Sequence, residues 1–184
     1  MVKNCAIPNK RLFLCTMFKK KILLVIAVLT IAISACQKEV PYDRTAQYSI
    51  DTAIIHKFIA EKKLVGVKEH EGLYYQVIKA GTGKDSIRSI DTVEVNYEGR
   101  LLDGTVFDAS EGTPIRFELE SVIEGWQKGV PLIKEGGQIR LIVPSTMAYT
   151  NRPVGPIPAN SPLDFTVDIV KVYKYIPKVI STND

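Results

Sequence analysis

Residues 92–102 alternate almost without a break. Val93, Val95, Tyr97 and Gly99 fall on one side of an extended chain, with Glu94, Asn96 and Glu98 between them. A period of two with one apolar and one polar face belongs to a strand in a sheet that is buried on one side only. Asp103-Gly104 follows, a dipeptide suited to the positive φ angles of a tight hairpin, and Val106-Phe107 starts the return strand. A turn that short joins antiparallel neighbours only, so the centre of the chain is committed to an antiparallel sheet.

Other segments fit the same frame. Residues 73–78 are apolar and aromatic, residues 115–119 alternate, and residues 138–143 and 163–172 read as two further strands. The loop between the last two carries five of the chain's ten prolines, counting Pro144 and Pro162. One stretch departs from the strand pattern. Val122, Trp126 and Val130 are spaced as on a helix over residues 122–133, which Gly125 and Gly129 weaken and Pro131 should end. Many strands with one short central helix is an α+β architecture, a twisted antiparallel sheet curled around that helix. A short helix should precede it. Ser49 is placed to cap a segment running to about Lys63, with Ile50, Ile54 and Phe58, and Ile55 and Ile59, at spacings of four. Asp51, Lys57, Glu61 and Lys62 fall on its other face, and residues 36–48 read as a polar tether.

The N-terminus is of another kind. Lys19-Lys20-Lys21 precedes an apolar run from Ile22 to Ile33 broken only by Thr30. A basic segment, about a dozen apolar residues and small residues at the end make a secretory signal, and the run is short of the roughly 20 residues of a bilayer span. Ile33-Ser34-Ala35-Cys36 resembles the lipobox of bacterial lipoprotein signal peptides, which implies removal of residues 1–35 and lipidation of Cys36. An ordinary signal peptide or signal anchor that contains a cysteine is the alternative. Cys5 and Cys15 lie upstream and no cysteine follows Cys36, so the exported chain has no disulfide framework. Met17 precedes a conventional signal start, which makes residues 1–16 a candidate overlong translation start. Several acyl chains give stable membrane anchoring, and Gln37 after the cysteine resembles the outer-membrane sorting of enteric bacteria. The expected location is therefore the bacterial envelope, lipid-anchored, at the outer membrane and facing the periplasm.

Charge follows the same division. Lys3, Lys10, Arg11, Lys19, Lys20 and Lys21 account for the whole excess of the 24 basic over the 20 acidic residues. The part after Cys36 is mildly acidic, which argues against nucleic acid as a partner. Its chemistry is sparse. His56 and His70 are its histidines, one in the expected helix and one in a charged turn, and no metal-ligand spacing joins them. Gly81-Thr82-Gly83-Lys84 lacks the spacing of a phosphate loop and reads as a turn, and no hydrolase or zinc motif is present. An enzyme with this inventory works without nucleophile, metal or cofactor.

Six motifs then follow in order: residues 95–101 (VNYEGRL), 103–110 (DGTVFDAS), 122–126 (VIEGW), Ala148-Tyr149, 157–160 (IPAN) and 163–165 (LDF). Over about residues 73–173 the chain resembles the FK506-binding-protein (FKBP) type of peptidyl-prolyl cis–trans isomerase, a family that includes envelope lipoproteins. The resemblance implies a proline pocket walled by Tyr97, Phe107, Trp126, Tyr149, Ile157 and Phe165, with Val122 and Ile123 at its rim. It implies Trp126 as the floor, the Ile123 N–H and the Tyr149 hydroxyl as donors to substrate carbonyls, and Asp108 beside the twisting bond. Phe117 alternates with Ile115 and is assigned to the core. Ile115 replaces a pocket Phe common in the family, Thr150 replaces a usual Gly, and residues 151–156 are unusually proline-rich. These departures bear on substrate preference and on binding of the macrolide inhibitor. The implied partners are proline-containing exported proteins. The implied organisation is a helix at 49–66, an isomerase domain at 67–175 and a tail at 176–184. A client-holding envelope module that uses the same pocket without turnover is the alternative, in a motility complex for instance.

Overall fold

The computed structural model describes residues 41–177. Cys36 and the expected signal segment 1–35 lie outside the described residues, as do residues 178–184. Within residues 41–177 seven strands form one antiparallel sheet: β1 (Lys68–His70), β2 (Leu73–Lys79), β3 (Thr92–Leu101), β4 (Val106–Ala109), β5 (Ile115–Glu118), β6 (Gln138–Val143) and β7 (Leu163–Tyr173). The order is β1-β2-β6-β7-β3-β4, and β5 also pairs with β3. The sheet stays open between its edges and does not close into a barrel.

The alternating strand is the hub. On one side β3 pairs with β7 from Thr92↔Tyr173 to Leu101↔Leu163. Its other edge is divided, with β5 along Thr92–Val95 and β4 along Glu98–Arg100. One extra residue in β7, Val170, sits between the pairs Ile169↔Val95 and Lys171↔Glu94. Such a bulge increases local twist, which helps the sheet curl.

Inside the curl lie Leu73, Val93, Val95, Leu141, Val143, Leu163 and Val167, each with no exposed surface. Burial of each such side chain is worth about 1.5–3 kcal/mol. Against them packs α2 (Glu124–Gly129), continued by a 3-10 turn at Val130–Leu132 that contains Pro131. The helix is shorter than the spacing predicts, and Val122 stands before it. Its two glycines have a packing role: a Cβ on Gly125 would meet Val143, and one on Gly129 would meet Leu141. Spaced by four, they let the helix approach β6 closely.

The helix before the sheet, α1 (Arg44–Glu61), starts five residues earlier than expected. Asp43, not Ser49, is the cap: its Oδ1 accepts from the N–H of Thr45 at 2.9 Å and of Ala46 at 3.1 Å. Ser49 lies mid-helix and donates to the Thr45 carbonyl. Residues 44–48, expected as tether, are therefore helical. The far end closes with Leu64 N–H on the Ile59 carbonyl and Lys63 N–H on the Ala60 carbonyl, Lys63 taking a φ of 51°.

The buried stripe is Asp51, Ile55 and Phe58, whereas Ile50 and Ile54 are 54% and 42% exposed. The sequence offers two runs of spacing four, and contact with the sheet takes Phe58 from one and Ile55 from the other. Ile55 and Phe58 pack on Tyr74 and Ile142, residues that face away from α2. Asp51 is thus displaced from the polar face, where the pattern puts it, to a fully buried site. His70 ends β1 opposite Leu73, and the tight turn is Glu71-Gly72, both with positive φ.

Candidate active site

Where β4 and β5 leave a gap along the edge of β3, a pocket of about 290 Å³ opens at the aromatic end of the core. The gap falls at Asn96 and Tyr97, and Ser110 bridges it. Its hydroxyl accepts the Tyr97 N–H at 3.0 Å, and its own N–H donates to the Tyr97 carbonyl at 3.0 Å. The β3 backbone is satisfied there without a neighbouring strand.

The floor is Trp126, from the first turn of α2, only 3% exposed. Tyr97 (β3), Phe117 (β5) and Phe165 (β7) meet its ring edge-to-face, with centroids 5.4, 5.7 and 5.5 Å away. Phe107 (β4) extends the wall by standing 5.6 Å from Phe165 at 87°. Edge-to-face contacts favour ring quadrupoles and hold each ring at a fixed angle. Gly99 makes room for the last pair, since a Cβ there would stand 2.6 Å from Phe107 and 2.8 Å from Phe165.

Polar groups occupy the rim. The Tyr97 hydroxyl donates to Asp108 Oδ2 at 2.6 Å. Burial pushes the Tyr97 phenol up, and the carboxylate that accepts its proton pushes it further. Tyr149, which follows the 3-10 turn Ser145–Met147, is also pushed up, by burial first and then by the charge of Asp108. Both phenols therefore stay protonated donors at neutral pH. Ile123 precedes α2 with extended backbone, so its N–H lies outside the helical hydrogen-bond ladder and at the pocket edge.

Eight of the residues that the sequence nominates, Tyr97, Phe107, Asp108, Val122, Ile123, Trp126, Tyr149 and Phe165, line this one pocket. Ile157 does not. It is 4% exposed within the core, because Val154 and Ile157 exchange both backbone hydrogen bonds and fold the proline-rich loop back on itself. Phe117 corrects the opposite way, from core to wall. Alternation does put Phe117 on the inner face, but on an edge strand that face borders the open end of the sheet. Ile115, two residues earlier, is 37% exposed and outside the pocket. Ser121, which also lines the site, carries no sequence signal.

The sequence signature of "FKBP-type peptidyl-prolyl cis-trans isomerase" matches residues 83–170. A relative of that type, FkpA of Escherichia coli K12, is 46% identical over 125 residues, covering 66% of this chain and 44% of the relative. A probable FkpA of Neisseria meningitidis serogroup B is 47% identical over 104 residues, covering 55% of this chain and 38% of the relative. The chain thus spans less than half the length of these curated relatives. Among solved structures, a peptidyl-prolyl cis-trans isomerase from Pseudomonas syringae pv. tomato superposes with a TM-score of 0.59 at 33% identity, over 73% of this chain and 99% of that one. The crystal structure of FkpA from Escherichia coli superposes with a TM-score of 0.62 at 33% identity, over 92% of this chain and 84% of that one.

Proposed function

The chain belongs to the FKBP-type peptidyl-prolyl cis–trans isomerase family, and from that premise we propose that it catalyses rotation about X–Pro bonds of exported proteins in the bacterial envelope. The observation that carries this reading is the aromatic pocket floored by Trp126, with two protonated phenols and one free N–H at its rim. An X–Pro bond resists rotation because resonance gives its C–N bond double-bond character, a barrier of about 20 kcal/mol. The planar imide is charge-separated, and a prolyl ring seated on Trp126 moves it out of water into an apolar surround that disfavours that form. Tyr149 and the Ile123 N–H donate to carbonyl groups of the substrate. Asp108, oriented by Tyr97, stands beside the rotating bond. Contacts that fit the twisted amide better than the planar one each need supply only about 1.4 kcal/mol per tenfold in rate.

Anchoring through Cys36 belongs to the same proposal. Seven residues separate Cys36 from the first residue of α1, a reach of about 24 Å when fully extended. Clients would then be proteins close to the membrane surface. Labelling with radioactive palmitate, lost in Cys36→Ser, tests the anchor. The function is tested with a prolyl tetrapeptide whose trans form alone is cleaved by an added protease. Catalysed cis-to-trans conversion is the expected result. Conversion at the spontaneous rate with folded protein present overturns the reading.

A further inference from the structure

Asp51 has no exposed surface, although the helix that carries it has an open face one residue away. Burying a carboxyl group is expensive unless it is hydrogen-bonded. Its partners show where it acts. Oδ1 accepts from Gln47 Nε2 at 2.8 Å, one turn up the same helix. Oδ2 accepts from the hydroxyl of Ser145 at 2.7 Å, 94 residues along the chain and 1% exposed.

Ser145 is the anchor of the turn before Tyr149. Its carbonyl accepts the N–H of Ala148 at 3.0 Å and that of Thr150 at 2.8 Å, the two residues that flank Tyr149. Thr150 is held at a φ of 57°, a left-handed conformation costly for a β-branched residue, with its hydroxyl on the Tyr149 carbonyl at 2.7 Å. The segment that presents Tyr149 thus closes on one carbonyl, and the side chain of that same residue is fastened to α1. The helix also reaches the opposite rim, where Arg44 pairs with Glu124 at 2.5 Å, next to Ile123.

We propose that α1 is a positioning element of the pocket: Asp51, through Ser145, sets the turn that aims the Tyr149 hydroxyl at the substrate. The inference rests on the isomerase reading above, in which Tyr149 is the group that touches substrate. Asp51 itself touches none.

The test uses the full chain and reads two independent quantities. In Asp51→Ala, kcat/KM for the prolyl tetrapeptide should fall about tenfold. In a Tyr149→Phe background the same change should cost less than about twofold, because the hydroxyl it positions is already gone. Asp51→Asn keeps an oxygen for Ser145, and Gln47 can turn its amide to accept from the new N–H, so its kcat/KM should stay within about twofold of the parent. Separately, amide exchange at Ala148 and Thr150 should speed up by at least about tenfold in Asp51→Ala, with the amides of β3 and β7 unchanged. Equal losses with and without the Tyr149 hydroxyl overturn the proposal, as does unchanged exchange at those two amides. A parent protein that converts the peptide at the spontaneous rate rejects the isomerase reading instead, and amide exchange then decides by itself whether Asp51 sets the turn.

Discussion

On β6, Leu141 and Val143 face the side of the sheet that holds α2 and the pocket, while Ile142 between them faces α1. The two sides share their strands and differ in what closes them. The inner side ends in five aromatic rings packed edge-to-face, Tyr97, Phe117 and Phe165 on Trp126 and Phe107 on Phe165, with Tyr97, Phe107 and Phe117 partly exposed. The outer side is an aliphatic patch with Phe58 and Tyr74, covered by a helix along its length and fastened by the Asp51 network. A surface that must stay open to substrate needs side chains that keep their shape without neighbours on every side, and rings with two torsions do so. The apolar part of a surface sealed by a helix needs only volume. Apolar truncations on the two sides should therefore separate stability from activity, whereas Asp51 acts on the pocket through Ser145.

The widest separation should come from paired truncations. Phe58→Ala, on the outer side, is expected to cost about 3–5 kcal/mol in denaturant unfolding, with kcat/KM per folded molecule changed by less than about threefold. Trp126→Leu, on the inner side, keeps an apolar floor but removes the face that three rings meet, and should lower kcat/KM by about 100-fold, near 2.7 kcal/mol. If both variants lose activity and stability in the same proportion, the division is wrong.

A subtler probe is Gly99→Ala. The added methyl collides with the Phe107 and Phe165 rings, so the wall must shift. Overpacking of this kind is expected to cost about 1–3 kcal/mol, and the shifted Phe107 ring should raise KM more than it lowers kcat. Unaltered steady-state constants would mean that Phe107 is not part of the working wall.

The smallest effect is in pH. With both rim phenols pushed up, kcat/KM should be flat within about twofold from about pH 6 to about pH 9. The folded state holds the Tyr97 proton more tightly than the unfolded chain does. Its contribution to stability is therefore complete below about pH 10 and is lost as pH rises beyond that. Denaturant midpoints that begin to fall well below about pH 10 in parallel with a tyrosinate absorbance change would contradict this assignment.

Much of the inner side was legible because its signals are local. The alternation of residues 92–102, the Asp103-Gly104 turn and the ordered motifs place the strands and nominate the residues around Trp126. The errors fall where a decision depends on something distant. Ser49 and Asp43 are both competent caps, and what decides between them is the additional length of helix that puts Arg44 beside Glu124 and Gln47 beside Asp51. Ile157 and Phe117 exchange roles because a loop folds back in one case and an edge strand runs out of neighbours in the other.

The order and type of most elements follow from the residues alone, since period and turn composition act over a few positions, and the resemblance to the isomerase family is what nominates the pocket residues. Which stripe of α1 is buried, why Gly125 and Gly129 interrupt a helix and what Asp51 serves are settled only by packing. A helix with apolar side chains on two flanks has no preferred buried face until a sheet covers it, and here the sheet takes Phe58 from one run and Ile55 from the other. A buried carboxyl acquires its partner only when residues 94 apart in the chain are brought within 2.7 Å.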